Sequence, residues 1–223
     1  MDRRETDDAH SGVDRSTAHR SGFVGLVGRP NVGKSTILNF YLPQKVAIVS
    51  PKPQTTRHRI LGVLTREDAQ ITFIDTPGFH RPEHALGRYM MKVANAVVEE
   101  ADLLVVIIDA RAGVTGEDER VFARIKASKR PAILAINKVD IVKKPILLPL
   151  LERCTRTGLF GTCVPVSALT GDQMTVLLNE IIRRLPQGPR WYEAEHMTDQ
   201  STTRLVGEFI REQILLATRQ EVP

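Results

Sequence analysis

From Phe23 onward, short runs of β-branched and aliphatic residues alternate with stretches whose apolar positions recur every three or four residues. The strand-like runs are FVGLV, RILGVL, QITFI, LLVVII, PAILAI and TCVPV, and helical patterns lie at about 34–42, 86–100, 116–128, 145–156 and 172–185. Such alternation implies an α/β sheet with helices on both faces. The pair 59–65 and 70–75 is the exception, because its connection is too short for a crossover helix and the two strands must therefore run antiparallel. The expected architecture is a six-stranded, mostly parallel sheet with one antiparallel strand.

The ends of the chain depart from this pattern. Residues 1–20 mix charges with small polar residues and hold no apolar segment, so they predict a disordered polar tail and no secretory signal. The alternation occupies 21–186, and 187–200 carries Gly188, Pro189 and polar residues that predict a linker. Within 201–223, Leu205, Phe209, Ile210 and Ile214 fall at helical spacing. No strand follows that helix, so its apolar stripe is expected to be frayed or docked on another molecule.

Composition narrows the picture only modestly. The 223 residues are 42% hydrophobic but only 5% aromatic, which suits an aliphatic α/β core. The longest apolar run, Leu103 to Ile108, falls far short of the roughly 18 residues of a membrane span. Cys154 and Cys163 form no CxxC pair, so the reading is two reduced thiols rather than a disulfide framework or a zinc site. The net charge of +5 is spread along the chain and by itself indicates no nucleic-acid surface.

Chemistry concentrates in the loops that follow the strands. FVGLV leads into Gly28-Arg29-Pro30-Asn31-Val32-Gly33-Lys34-Ser35-Thr36 and then directly into a helix, the strand–loop–helix setting in which backbone N–H groups and a helix N-terminus cradle phosphates. Lys34 is the candidate contact to the β and γ phosphates and Ser35 the candidate Mg2+ ligand. After PAILAI comes Asn137-Lys138-Val139-Asp140, where the Asp140 carboxylate offers two acceptors to the two adjacent donors of guanine. Asn137 would brace that loop and Lys138 would lay its stem over the purine. QITFI ends at Asp75-Thr76-Pro77-Gly78, with Asp75 a candidate for the magnesium shell and the Gly78 N–H for the γ-phosphate. Of the adjacent hydroxyls Thr55 and Thr56, Thr56 is expected to reach the metal. Ser167, Ala168 and Leu169 follow TCVPV and would back the base. All five elements stand at strand ends, where ligands bind in open α/β sheets.

These residues resemble the Era family within the translation-factor-related P-loop GTPases. The resemblance rests on GRPNVGKST, SPKPQTTRHRI, DTPGFHRP, NKVD, SAL and the run from LPQGP through IREQILLATRQEVP, and it covers about residues 21–223. It implies a GTP/GDP-binding, Mg2+-dependent GTPase, with 201–223 resembling the first helix of a truncated KH-type RNA-binding domain. It also implies a role in small-subunit ribosome assembly, ribosomal RNA and the ribosomal subunit as partners, and a cytoplasmic, monomeric protein with peripheral association at the inner membrane. Asn31 resembles an asparagine that helps hold K+ beside the phosphates. The chain departs from the family after the phosphate loop, where Asn39-Phe40-Tyr41-Leu42-Pro43-Gln44-Lys45 replaces a glycine-containing segment.

The expected reaction is in-line attack of water on the γ-phosphate, with Lys34, Thr56 and Gly78 as its catalytic set. Phe79 occupies the position where many GTPases orient the water with glutamine, so slow intrinsic turnover is expected. Arg57, Arg59 or an external group would supply the missing charge. Two competing readings remain at this point: a P-loop ATPase or kinase using Asp109 as its magnesium acid, and a non-catalytic guanine-nucleotide module.

Overall fold

The computed structural model describes residues 19–218 apart from 53 and 83; most of the polar tail and positions 219–223 of the terminal segment lie outside the described residues. Six strands form one sheet in the order β2-β3-β1-β4-β5-β6. They are β1 (Arg20–Val27), β2 (Ile60–Thr65), β3 (Ala69–Asp75), β4 (Leu103–Asp109), β5 (Ala132–Asn137) and β6 (Thr162–Pro165). The β2–β3 hairpin is antiparallel, with Ile60 opposite Asp75 and Thr65 opposite Gln70, and every other pairing is parallel. β1 begins at Arg20, the last position of the stretch read as a tail.

Successive residues of a strand point to opposite faces, and β4 shows the consequence. Leu103, Val105 and Ile107 join one core with α1 (Lys34–Tyr41) and α5 (Met174–Arg184), while Leu104, Val106 and Ile108 join a second core with α2 (Ala85–Glu100), α3 (Gly116–Ser128) and α4 (Lys144–Arg156). All six side chains are fully buried, which is why this run is continuously apolar rather than alternating.

The helices start and stop for local reasons. Thr115 caps α3, accepting from the Asp118 N–H while the Asp118 carboxylate accepts from the Thr115 N–H, and Glu117, Asp118 and Glu119 favour the positive end of the helix. α2 buries Met90, Ala94, Val97 and Val98, a stripe of helical period. α1 ends at Tyr41 because Leu42, preceding a proline, takes the extended conformation. The unusual Phe40-Tyr41 pair is accommodated there: Tyr41 stacks on Phe73 at 5.3 Å and its hydroxyl donates to the Met174 carbonyl.

Residues 187–200 run along the sheet edge. The Val63 N–H donates to the Met197 carbonyl and the Thr198 hydroxyl to the Leu61 carbonyl, which covers the otherwise unpaired side of β2. Gln70, fully buried, accepts from the N–H groups of Trp191 and Tyr192.

The final helix, α6 (Thr202–Ala217), corrects the expectation of fraying or intermolecular docking. It packs on its own chain, over residues 45–55. Glu212 is 5% exposed, pairs with Lys45 at 2.6 Å and accepts from the Val49 N–H at 2.8 Å, while Arg211 donates to the Thr55 carbonyl at 2.6 Å and Lys52 to the Thr218 carbonyl at 2.5 Å. The docked face carries Leu215 together with this polar set, whereas Val206, Ile210 and Ile214 stay exposed. The apolar stripe alone misled because a buried carboxylate with strong hydrogen bonds does the anchoring.

Candidate functional site

The site lies where the C-terminal ends of β1, β3, β4, β5 and β6 converge. A cleft of about 650 Å³ is lined by Arg29, Pro30, Asn31 and Gly33 to Thr36 of the β1–α1 loop, by Ile48 to Pro51 and Gln54 to Thr56, and by Gly78, Asp109, Arg111, Lys138 and Leu216. Val32 is fully buried beneath the loop.

The loop is built around backbone that only glycine tolerates. Gly33 has φ +102°, and a Cβ there would lie 2.2 Å from Asn137 Nδ2; a Cβ on Gly78 would lie 2.6 Å from the Pro30 nitrogen. The Phe79 N–H donates to the Gly28 carbonyl at 3.0 Å, which ties the segment after β3 to the phosphate loop. Arg29 lines the cleft and pairs with the buried Asp118 of α3 at 3.3 Å.

Lys34 is buried and donates to the carbonyls of Arg29 at 2.9 Å and Gly28 at 3.3 Å. Burial lowers its ammonium to about 8, against the pull of Asp75. Ser35 Oγ, at the start of α1, donates to Asp75 Oδ2 at 2.5 Å and lies 3.0 Å from Thr56 Oγ1, itself 3.4 Å from the same carboxylate oxygen. Asp75 Oδ1 is buried without a hydrogen-bond partner among the described residues, and burial raises this carboxyl although Lys34, Ser35 and Thr56 oppose the shift. Two hydroxyls and a carboxylate with an unsatisfied oxygen form a donor set that fits a hard divalent cation such as Mg2+. Thr55 turns away, its hydroxyl bonded to Ser50 and to the Lys52 carbonyl.

Asn137 joins the phosphate loop to the loop after β6. Its Nδ2 donates to the Val32 carbonyl at 2.8 Å and its Oδ1 accepts from the Ala168 N–H at 3.0 Å, so one buried amide holds the phosphate loop against the loop after β6. Lys138, in a left-handed conformation with φ +67°, donates to the Asn31 carbonyl at 2.7 Å and to Asp109 Oδ2 at 2.8 Å. Asp140 stands exposed on the 3-10 turn Val139–Ile141 and does not line the cleft. Ser167 is buried and accepts from the Thr170 N–H, whereas Leu169 is 81% exposed. Asn31 also has positive φ and donates through Nδ2 to the Pro51 carbonyl.

Three features escaped the sequence reading. Asp109 is the partner of Lys138 rather than a metal acid: burial alone would raise it, but the Lys138 ammonium and the Arg111 and Ala112 N–H groups hold it below the ordinary carboxylate range. This removes the support for an ATPase or kinase using it beside Ser35. Its place at the end of LLVVII was the available signal. Phe79 is 7% exposed with its ring in the core shared by α2 and α3, so it does not line the nucleotide cleft. Leu216 reaches the cleft from α6, for which no local signal exists.

A family model described as a 50S ribosome-binding GTPase matches residues 23–138. GTPase Era of Syntrophus aciditrophicus (strain SB) is 42% identical over 208 residues, which span 93% of this chain and 68% of that relative. A crystal structure of Era in complex with MgGDPNP and nucleotides 1506–1542 of 16S ribosomal RNA matches with a TM-score of 0.88 at 40% identity, over 92% of this chain and 70% of that one. A point variant of Aquifex aeolicus Era bound to GDP·AlF4− matches with a TM-score of 0.87, again at 40% identity, 92% and 70%.

Proposed function

The chain belongs to the Era family of P-loop GTPases, and from that membership we propose a guanine-nucleotide switch that hydrolyses GTP and acts on the small ribosomal subunit through ribosomal RNA. The observation that carries the reading is the convergence of Ser35, Thr56 and Asp75 beside Lys34, with Asn137 holding the base loop against the same phosphate loop.

In this reading the N–H groups of Asn31 to Thr36 surround the phosphates and Lys34 neutralises the β and γ oxygens. Phosphate charge restores the proton preference that burial takes from Lys34. Ser35, Thr56 and Asp75 would hold Mg2+, which supplies charge neutralisation at the β and γ phosphates when bound. Thr56 belongs to the segment 45–56 and Gly78 to the segment tied to Gly28, so loss of the γ-phosphate releases one contact on each side. Asp140 reads the guanine edge, Lys138 covers the base, and Ser167, Ala168 and Leu169 close behind it.

Turnover is slow, because the Phe79 ring faces the core and neither orients nor activates water. Arg57, Arg59 or an external group supplies the remaining charge, and K+ held at Asn31 is a further source. The protein works as a monomer in the cytoplasm, with peripheral association at the inner membrane. Its domain plan is a nucleotide domain over 21–186, a connector over 187–200 and a KH-like helix from 201.

The decisive experiment extracts the nucleotide carried by purified protein and follows phosphate release from GTP over hours, with and without small ribosomal subunits. GDP or GTP in the extract, and release that is slow alone and faster with subunits, are expected. An adenine nucleotide, or no release under either condition, overturns the proposal. Equal rates in sodium and potassium buffers remove the K+ part alone.

A further inference from the structure

Beside the start of β2, a cleft of about 630 Å³ opens between α2 and the start of α6. It concentrates positive charge in a way that the mild net charge of the chain does not announce. His58 and Arg59 enter from the segment that follows Thr56, Tyr89 and Lys92 from α2, and Arg204 from the first turn of α6. Arg88, also exposed, stands one helical turn before Lys92. Asp199 is the only acid lining the cleft among the described residues, and Glu100 lies beyond it, 3.8 Å from an Arg59 side chain that is itself mostly exposed. Loosely paired surface cations of this kind remain available to another anion.

An aromatic group stands among these charges. Tyr89 is 48% exposed and packs edge-on against His58, with ring centroids 5.9 Å apart at 69°. Cations that follow a backbone, beside a flat ring on which a base stacks, are the two parts of a single-strand binding surface. A concave wall suits a strand better than a bilayer, whose plane does not enter a cleft.

We propose that this cleft binds single-stranded RNA, with Lys92, Arg204 and Arg59 on phosphates and Tyr89 under a base. The inference rests on the ribosomal-RNA reading above and deepens it by placing an RNA contact on the nucleotide domain itself.

The test uses the whole chain loaded with GDP and a fluorescein-labelled oligouridine of about 12 nucleotides, read by anisotropy. The wild type is expected to bind. Tyr89→Ala should weaken binding by about tenfold, and Lys92→Glu with Arg204→Glu by at least as much. The neutral pair Lys92→Gln and Arg204→Gln should flatten the log–log salt slope by about 1.4. All variants should keep wild-type affinity for a fluorescent GDP analogue. Failure of the wild type to bind that analogue would count against the GTPase reading. Normal GDP binding without RNA binding, or RNA binding indifferent to these substitutions, overturns the inference alone. So does a result in which the same substitutions abolish sedimentation with phosphatidylglycerol vesicles and leave oligouridine binding intact.

Discussion

The phosphate loop and the loops proposed to read the base are built on opposite plans. At the phosphate end Lys34, Thr56 and Asp75 are 6%, 9% and 0% exposed and already hydrogen-bonded to one another or to backbone. On the loops after β5 and β6, Asp140 is exposed, Leu169 is 81% exposed and neither lines the cleft, while Lys138 crosses to the phosphate loop. In the proposed reading, preorganised groups would hold the charge common to every nucleoside phosphate, while an open carboxylate would leave selection to the edge of the incoming base. Affinity and specificity are separated in space in that reading, with the buried Asn137 side chain bonded to both loops.

That division is testable, and Asp140→Asn should show the largest effect. It should shift preference from GDP toward xanthosine diphosphate by about a thousandfold or more, because a donor–acceptor mismatch at the base edge replaces a matched pair. Competition binding measures it, and an unchanged preference means that the base is read elsewhere. Gly33→Ala attacks the opposite end, and there all nucleotides should lose affinity alike. Strain at φ +102° and the displaced Asn137 amide together cost about 3 kcal/mol, roughly a hundredfold. Titration calorimetry with GDP and xanthosine diphosphate checks it, and a loss confined to one base would break the comparison.

Phe79→Gln separates chemistry from packing. With the ring directed into the core, glutamine there should leave the hydrolysis rate within about threefold while lowering stability by about 3 kcal/mol in urea unfolding. A large gain in rate would show that position 79 reaches the attacking water. The smallest change is expected from Glu212→Gln, which keeps an acceptor for the Val49 N–H but weakens the pair with Lys45, a half-exposed side chain. A loss of about 1 kcal/mol or less should appear as faster amide exchange at Val49 with GDP affinity unchanged. Equal loss of GDP affinity would instead tie α6 to the phosphate end.

Legibility along the chain followed the range of the interactions involved. LLVVII was readable as a buried strand because its own residues carry the pattern, and the β2–β3 hairpin followed from the length of one loop. The strand-end loops carry a local signal of the same kind: glycine at 28 and 33, the Lys34-Ser35 pair and the carboxylates at 75 and 140 each stand within a few residues of a strand end. Thr56 over Thr55 was a choice between neighbours, and it is Thr56 whose hydroxyl lies beside Ser35 and Asp75. Asp109 was visible as a strand-end acid but not as the partner of Lys138, because pairing across 29 residues depends on how two adjacent strands end together.

Order and type of elements, and the residue types at each strand end, were thus settled by the amino-acid sequence, since backbone periodicity and phosphate geometry act over a few neighbouring residues. The seating of α6 on residues 45–55, the inward turn of Phe79, the reach of Asn137 and the gathering of His58, Tyr89, Lys92 and Arg204 around one cleft were decided by the tertiary structure alone. Each joins segments far apart in the chain, where burial and charge pairing are properties of the assembled surfaces and leave no periodic trace in either segment.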